Sequence, residues 1–322
     1  MRRRTGARRP GVAVTSTAGS DRAATVLAVV GPTAAGKSDL GVALAAAVGG
    51  EIVNADSMQL YRGMDIGTAK LTPAERRGVP HHLLDIWPVT ETASAAAYQA
   101  LARAAVADVL ARGRVPVLVG GSGLYIRAVL DDLRFPGTDP ALRGRLEAEL
   151  ASAGAPALHA RLAALDPVAA VGILPTNGRR IVRALEVVEL TGGPFTATLP
   201  DQAGAVPVYD AVQFGVDRPA PELDERITAR VDRMWALGLV DEVRRLLPDG
   251  LASGLTASRA LGYRQVLHAL AGGGTLDGAR AETVRATRRF ARRQRSWFRR
   301  DPRIHWLDGG SPALLDQALR RI

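Results

Sequence analysis

The chain has 322 residues, of which 47% are apolar and none is cysteine, and its net charge is +10. This length can form one large domain or two. The lack of cysteine excludes disulfides and thiolate metal sites and fits a protein of the reducing cytoplasm. No run of about 18 apolar residues is present, so we expect neither a membrane span nor a membrane partner.

Residues 1–24 form a basic tail outside the predicted fold. They hold six arginines and one aspartate and so contribute +5 to the net charge. Few large apolar residues and many Arg, Gly, Ser and Thr residues predict disorder. No apolar signal-peptide core follows the first arginines. The tail could contact nucleic acid, aid solubility or result from a start site assigned too early, and the sequence leaves these interpretations open.

The first motif in the chain is a phosphate-binding loop. Val26–Val30 is a short apolar run typical of a buried parallel strand, and Leu40, Leu44 and Val48 share one side of a helix predicted at 38–48. Strand, Gly-x-x-x-x-Gly-Lys-Ser and helix together are the context that this motif requires. Its N–H groups and lysine bind an anion, and its serine can hold Mg²⁺. The sequence therefore predicts a diphosphate or polyphosphate site formed by Gly31, Pro32, Thr33, Ala34, Ala35, Gly36, Lys37 and Ser38.

The alternation of strand and helix continues through the first half of the chain. A strand is predicted at 51–54, a helix at 94–112 and a strand at 115–119. This order predicts an α/β fold in which a parallel sheet is covered by helices. Asp56 follows the second strand and Ser122 follows the third. Because ligands bind beyond the carboxyl ends of such strands, we expect both residues beside the phosphate loop.

The alternation stops at a turn-rich segment, 135–140. Helices are then predicted at 142–151, 158–165 and 179–190, with no strand between them. We interpret 138–202 as a helical insertion in a core built from 25–137 and 203–322. Predicted strands at 211–216 and 304–307 return to the sheet.

A strongly basic helix is predicted at 284–300. At 100° per residue, eight arginines share an arc of about 160° without an acidic residue. The opposite side carries Phe290, Trp297 and Phe298, which we expect to lie in the core. The basic side favours a polyanion partner such as a nucleic acid. Its residues are Arg285, Arg288, Arg289, Arg292, Arg293, Arg295, Arg299 and Arg300.

Two adjacent histidines, His81 and His82, raise the question of a metal site. Adjacent side chains point apart on most backbones, and no Cys, Asp or Glu stands at a ligand-like spacing from them. We therefore expect no metal at this pair.

Taken together, several motifs resemble those of the bacterial tRNA dimethylallyltransferases, also called tRNA isopentenyltransferases. Besides the phosphate loop, the matching runs lie at 54–70, 80–86, 120–125, 183–186, 261–265 and 292–300. The resemblance extends from about residue 25 to the C terminus. The Asp-Ile-Gly-Thr-Ala-Lys run within 54–70 is far more specific than the phosphate loop. The resemblance implies a P-loop NTPase-like fold.

The family transfers a dimethylallyl group from its diphosphate to N6 of the adenosine 3′-adjacent to the anticodon, tRNA position 37. The resemblance implies that the loop holds the leaving diphosphate, whose charge Lys37 and Mg²⁺ at Ser38 stabilise. Asp56 matches the family's general base. Ser122 stands where relatives often have Thr and keeps the hydroxyl. Arg143 matches an arginine near the substrate.

The resemblance also implies that the partner is the tRNA anticodon stem-loop, from which the target base must unstack. Many relatives have Asp-Pro-Gln-Arg where this chain has Asn-Gly-Arg-Arg at 177–180, so a base contact through the replaced Gln is in question. We expect a monomer, since its long faces are committed to RNA. The implied tRNA contacts are Asp56, Ser57, Met58, Gln59, Ser122, Arg143, Arg179, Arg180, Arg183, Arg259, Gly262, Tyr263, Arg264, Gln265, Arg288, Arg292, Arg295 and Arg299.

Three alternatives stay open at this point. An enzyme of the same fold that prenylates free adenine nucleotides would need neither the helical insertion nor the basic helix. A kinase or NTPase would place an aspartate for magnesium after the third strand, where this chain has Gly-Gly-Ser. A non-enzymatic RNA-binding protein would not explain Asp56 beside a phosphate loop.

Overall fold

A parallel β-sheet of six strands lies at the centre of the structure, a computed structural model that describes residues 26–195 and 206–322. The spatial order of the strands is β3-β2-β4-β1-β5-β6, and every neighbouring pair is parallel. The predicted α/β fold is therefore confirmed. The strands are β1 (Val26–Val30), β2 (Glu51–Asn54), β3 (His81–His82), β4 (Pro116–Val119), β5 (Ala211–Asp217) and β6 (Ile304–Asp308).

Helices cover both faces of the sheet because strand side chains alternate between two hydrophobic cores. Leu27 and Val29 face α1 (Lys37–Val48), α8 (Ala220–Ala236) and α12 (Leu314–Leu319). Ala28 and Val30 face α2 (Ala95–Ala111) and α3 (Gly123–Leu130). The long helix α11 (Leu276–Phe298) joins both cores, through Ala291 on one face and Phe298 on the other.

A third core lies beside the sheet and is organised by a buried carboxylate. It contains α9 (Leu239–Leu246) and α10 (Tyr263–Leu270). Glu242 accepts hydrogen bonds from the N–H groups of Ile66 (2.8 Å) and Gly67 (3.2 Å) and from the Tyr263 hydroxyl. A Cβ on Gly67 would lie 2.3 Å from the Tyr263 ring, so only glycine fits there. The Asp-Ile-Gly-Thr-Ala-Lys run thus builds the wall of the fold that faces α10.

The helical segment predicted as an insertion has a hydrophobic core of its own. Its helices are α4 (Pro140–Ala153), α5 (Ala155–Leu165), α6 (Pro167–Val171) and α7 (Gly178–Thr191). The fully buried Glu186 accepts hydrogen bonds from Arg183 (2.6 Å), Arg143 and the Asp139 N–H (3.2 Å). This carboxylate therefore fastens α7 to the start of α4.

The structure adds elements that the sequence patterns did not reveal. Strand β3 is two residues long, α3 follows a glycine-rich run, and α11 begins eight residues before its predicted start. His82 Nε2 contacts Glu51 Oε2 at 2.6 Å, and His81 Nδ1 donates to the Val79 carbonyl at 2.8 Å. The predicted disordered tail and the 202/203 domain boundary lie outside the described residues. Within 26–195 and 206–322, no helix is both long and apolar enough to span a membrane.

Candidate active site

The phosphate loop connects β1 to α1 in a conformation that its glycines permit. Gly31 and Gly36 have φ values of +134° and +111°, which side-chain-bearing residues rarely adopt. A Cβ on Gly31 would also lie 2.2 Å from the Val216 carbonyl oxygen of the neighbouring strand. Ala34 is held at φ +65° without being glycine, a strain that tends to occur at functional sites. The loop N–H groups and the N-terminus of α1 together form an anion-binding concavity.

Side chains from the second half of the chain hydrogen-bond to the backbone of this loop. Gln294 Oε1 accepts the Thr33 N–H at 2.9 Å. Arg226 Nε donates to the Ala34 carbonyl at 2.8 Å, and Arg218 Nε donates to the Ala35 carbonyl at 3.0 Å. These contacts join positions about 180–260 residues apart, so sequence reasoning missed all three side chains.

Two cations face a cavity of about 80 Å³ at the mouth of the loop. Lys37 and Arg230 line it together with Ser38 and Asp56. Lys37 Nζ donates to the Pro32 carbonyl at 2.7 Å. Burial and the charge of Arg230 lower the pKa of Lys37 to about 7, although Asp56 opposes the shift. Among the described residues neither cation has a carboxylate partner within 4.0 Å, so the cavity suits an anion.

Asp56 is held in a turn that leaves one carboxylate oxygen available. Its Oδ1 accepts the Met58 N–H at 2.9 Å, and its own N–H donates to Asn54 Oδ1 at 3.0 Å. Oδ2 has no hydrogen-bond partner among the residues that the structure describes. Ser122 stands next to this turn, because its Oγ accepts the Ser57 N–H at 3.2 Å. The structure thus brings the phosphate loop, Asp56 and Ser122 together.

Three adjoining cavities meet at Arg230, which lines all of them. The small central cavity shares Thr33 and Asp56 with a second cavity of about 490 Å³. It shares Lys37 and Ser38 with a third cavity of about 460 Å³. The two larger cavities therefore contact different parts of the phosphate loop, the second at Thr33 and the third at Ala34, Gly36, Lys37 and Ser38. Sequence reasoning missed Arg230, whose only signal is its place on an amphipathic helix.

The second cavity is bordered by arginines and by one side of α11. Arg259, Arg264, Arg289 and Arg293 line it. Phe290 also lines it, so the expectation that this ring lies in the core was wrong. The helical periodicity placed Phe290 opposite the arginines but could not show that this side of α11 opens into a cavity. Trp297 is half-buried and Phe298 is buried, as predicted.

The basic side of α11 has more acidic neighbours than the predicted segment indicated. The helix begins early enough to include Glu282, which pairs with Arg285 (2.9 Å) and Arg289 (2.7 Å). Asp217 of β5 binds Arg295 (2.7 Å) and Arg299 (3.0 Å). Arg288 donates to Thr228 Oγ1 at 2.9 Å. Within the described part of the chain, Arg292 and Arg293 of α11 have no ion pair, and neither has Arg300 just after the helix.

Two residues predicted to contact tRNA are interior and form the start of α10 instead. Tyr263 is fully buried against Glu242, and Gln265 is buried with its Oε1 accepting the Gly262 N–H at 2.9 Å. Their side chains offer no surface to RNA. They fix the first turn of α10, which presents Arg264 to the second cavity. Met58 lines the same cavity, whereas Gln59 lines the central one.

The insertion carries the remaining predicted contacts. Arg143, expected near the diphosphate, pairs with Glu186. Arg183 pairs with the same carboxylate, and neither arginine lines any of the three cavities. Arg179 and Arg180 are exposed on the first turn of α7. Asn177 caps that turn by accepting the Arg180 N–H at 3.3 Å. Asn at this position therefore keeps the cap that Asp would provide.

Fold and site together define an α/β phosphate-loop protein whose anion site adjoins a carboxylate and a cavity bordered by arginines. The chain belongs to the IPP transferase family, whose model matches residues 59–301. It is 71% identical over 300 residues to the tRNA dimethylallyltransferase of Salinispora arenicola, covering 93% of this chain and 87% of that one. It is 72% identical over 285 residues to the Streptomyces coelicolor protein of the same name, covering 88% and 90%.

Solved structures agree with this assignment. The crystal structure of a tRNA isopentenylpyrophosphate transferase from Bacillus halodurans matches with a TM-score of 0.67 and 40% identity, covering 92% of this chain and 94% of that one. A eukaryotic dimethylallyltransferase acting on tRNA matches with a TM-score of 0.76 and 25% identity, covering 92% and 77%. The resemblance inferred from the motifs is therefore confirmed.

Proposed function

We propose that this chain transfers a dimethylallyl group from dimethylallyl diphosphate to N6 of adenosine 37 in tRNA and releases diphosphate. The observation that carries the proposal is the central cavity, where Lys37 and Arg230 stand beside Asp56. Two cations without a carboxylate partner in the described residues suit a multiply charged anion. A carboxylate with a free oxygen suits a nucleophile that must lose a proton. The family relatives, named for this transfer, support the same reaction.

These groups support a single displacement at C1 of the prenyl donor. The bond between N6 and C1 of the prenyl group forms as the bond between C1 and the diphosphate oxygen breaks. The electron pair of the broken bond leaves with that oxygen, whose charge Lys37, Arg230 and the loop N–H groups stabilise. Asp56 takes the proton that N6 loses. We propose that the Ser122 hydroxyl, next to the Asp56 turn, hydrogen-bonds a reactant.

The oxygen donors at the loop fit a magnesium ion. No group of three or more His, Cys, Asp or Glu side chains able to hold a metal occurs within the described ranges. Mg²⁺ is usually bound through one or two protein oxygens together with substrate phosphates and waters, so such a group is not needed. We propose that Ser38, which lines the central cavity, holds Mg²⁺ with the diphosphate. The bound ion would neutralise charge on the leaving group.

The two larger openings suit the two substrates. The second cavity joins basic residues to an apolar wall that includes Met234 and Phe290, a combination that suits an unstacked base and its phosphates. The third cavity is lined by Lys37 and Ser38, and we propose that it is the entrance for the donor. We propose that the protein acts on tRNA in the cytoplasm, as a monomer.

The proposal is tested by offering the enzyme labelled dimethylallyl diphosphate with unmodified tRNA and with AMP, side by side. We expect label in the anticodon stem-loop and release of pyrophosphate. Label in AMP alone would assign the free-nucleotide reaction instead. Turnover of ATP without any prenyl transfer would assign a kinase or NTPase and overturn the proposal.

The ion pairs of α11 predict unequal roles for its arginines in tRNA binding. The logarithm of the association constant for tRNA falls linearly with the logarithm of the salt concentration. Replacing Arg292 and Arg293 together by Gln should make this slope shallower by about one to two, since each free arginine can release a phosphate counterion. Arg295→Gln should change the slope less, because that side chain is already hydrogen-bonded to Asp217 and so is less available to a phosphate. Fluorescence titration of a labelled anticodon stem-loop at several salt concentrations measures both. Equal slopes for wild type and the double variant would show that this surface does not bind RNA phosphates.

A further inference from the structure

One buried side chain, Gln294, connects the phosphate loop to the loop at 120–122. Its Oε1 accepts the Thr33 N–H at 2.9 Å, and its Nε2 donates to the Gly121 carbonyl at 2.9 Å. The side chain is only 6% exposed. A Cβ on Gly121 would lie 2.2 Å from Gln294 Nε2, so the close approach requires glycine. Both polar groups of the amide are therefore used by backbone groups of two different loops.

The two loops belong to opposite sides of the proposed reaction. The loop at 120–122 is tied to the Asp56 turn: a Cβ on Gly120 would lie 2.2 Å from the Ala55 carbonyl oxygen, and Ser122 accepts the Ser57 N–H. These segments hold the proposed general base and so form the acceptor side. Thr33 belongs to the phosphate loop, which forms the donor side.

The helix that carries Gln294 fixes its position. Ala291 and Phe298 of α11 are buried in the two cores on either face of the sheet. Phe290, one turn before Gln294, lines the second cavity. The amide of Gln294 is thus held by a rigid helix between the two loops, and its hydrogen bonds set where the loops stand relative to each other.

We propose that Gln294 is a positioning residue that sets the distance between the donor and acceptor sides of the active site. This inference rests on the proposed function. Its physical basis is that the reacting C1 and N6 must be aligned within a few tenths of an ångström, and a misplacement of about 1 Å costs on the order of 10²-fold in rate. Gln294 also lines the central cavity, but both polar groups of its amide are engaged by backbone, so we expect it to act on alignment more than on the binding of either substrate.

The test is Gln294→Met, which keeps the length of the side chain and removes both hydrogen bonds. We expect the single-turnover rate of transfer to fall by about 10–100-fold. The dissociation constants for inorganic pyrophosphate and for the anticodon stem-loop should each stay within about threefold. Gln99→Met is the matched control, because Gln99 also donates to two backbone carbonyls, Ala128 and Leu133 at 2.8 Å each, but lines none of the three cavities.

Gly121→Ala tests the same contact from the other side, and keeps the proposal testable should Gln294→Met fail to fold. Its methyl group would displace the Gln294 amide, so we expect the same loss of rate with unchanged affinities. The effects of the two variants on the transfer rate should not be additive, since both disrupt the same contact between Gln294 and Gly121. A wild-type rate in both variants, or affinities that fall as much as the rate, would overturn the role of Gln294. Absence of transfer by the wild-type enzyme would instead overturn the proposed function itself.

Discussion

Replacing Asp56 by Asn is expected to slow dimethylallyl transfer by about 10²–10⁴-fold, the range that a general base contributes. Asn keeps an Oδ1 that can accept the Met58 N–H, so the turn that shapes the site survives. Its amide cannot take the proton that N6 must lose. tRNA binding should therefore stay nearly intact. Asp56→Ala should slow transfer as much as Asp56→Asn does. It should also disorder the turn, because alanine cannot accept the Met58 N–H.

Single-turnover transfer and stem-loop titration separate these effects. The matched control is Asp308→Asn, because Asp308 ends β6 and its Oδ1 accepts the Gly310 N–H at 2.9 Å in a similar turn, outside the three cavities. That variant should transfer at the wild-type rate. A collapse of tRNA binding in Asp56→Asn with an unchanged chemical rate would mean that Asp56 binds RNA and is not the base.

Binding of pyrophosphate to the metal-free enzyme is expected to weaken by up to tenfold per pH unit above about pH 7. Burial and then Arg230 lower the pKa of Lys37 to about 7 in the free enzyme. A bound anion stabilises the ammonium and raises that pKa. Below pH 7 the lysine is already charged, so binding takes up no proton there. Above pH 7 binding must be accompanied by uptake of a proton, and affinity falls until the pH reaches the raised pKa.

Calorimetry in two buffers of different ionisation enthalpy measures this proton uptake directly. Lys37→Arg is the comparison, since guanidinium stays protonated throughout the range. The difference between the two profiles removes the ionisation of pyrophosphate itself. Equal proton uptake by wild type and Lys37→Arg at pH 8 would show that Lys37 does not titrate in this range.

The parts of the fold that could be predicted from sequence are those with a strong local pattern. Val26–Val30, the Gly-x-x-x-x-Gly-Lys-Ser run at 31–38 and the helix pattern after it together identify the phosphate loop. The two-residue strand β3 has too few residues for any pattern, and it pairs with the sheet only through β2. Asp56 and Ser122 could be placed beside the loop because parallel strands align their carboxyl ends.

The part of the site that the sequence did not reveal comes from distant helices. Arg230 and Gln294 reach the loop from α8 and α11, and no local pattern distinguishes them from other helix residues. The ion pairs of Asp217 with Arg295 and Arg299 likewise depend on how β5 packs against α11. Tyr263 belongs to a family motif, and its burial against Glu242, which the sequence did not reveal, gives this residue a structural role.

The separate core of the α4–α7 segment has a consequence for how this enzyme could evolve. Arg179 and Arg180 lie on α7, and among the described residues the core of the α4–α7 segment shares no side chain with the three cores around the sheet. Surface exchanges on this segment can therefore accumulate without moving Lys37, Asp56 or Ser122. We therefore expect the range of RNAs that this enzyme accepts to change more readily in evolution than its chemistry.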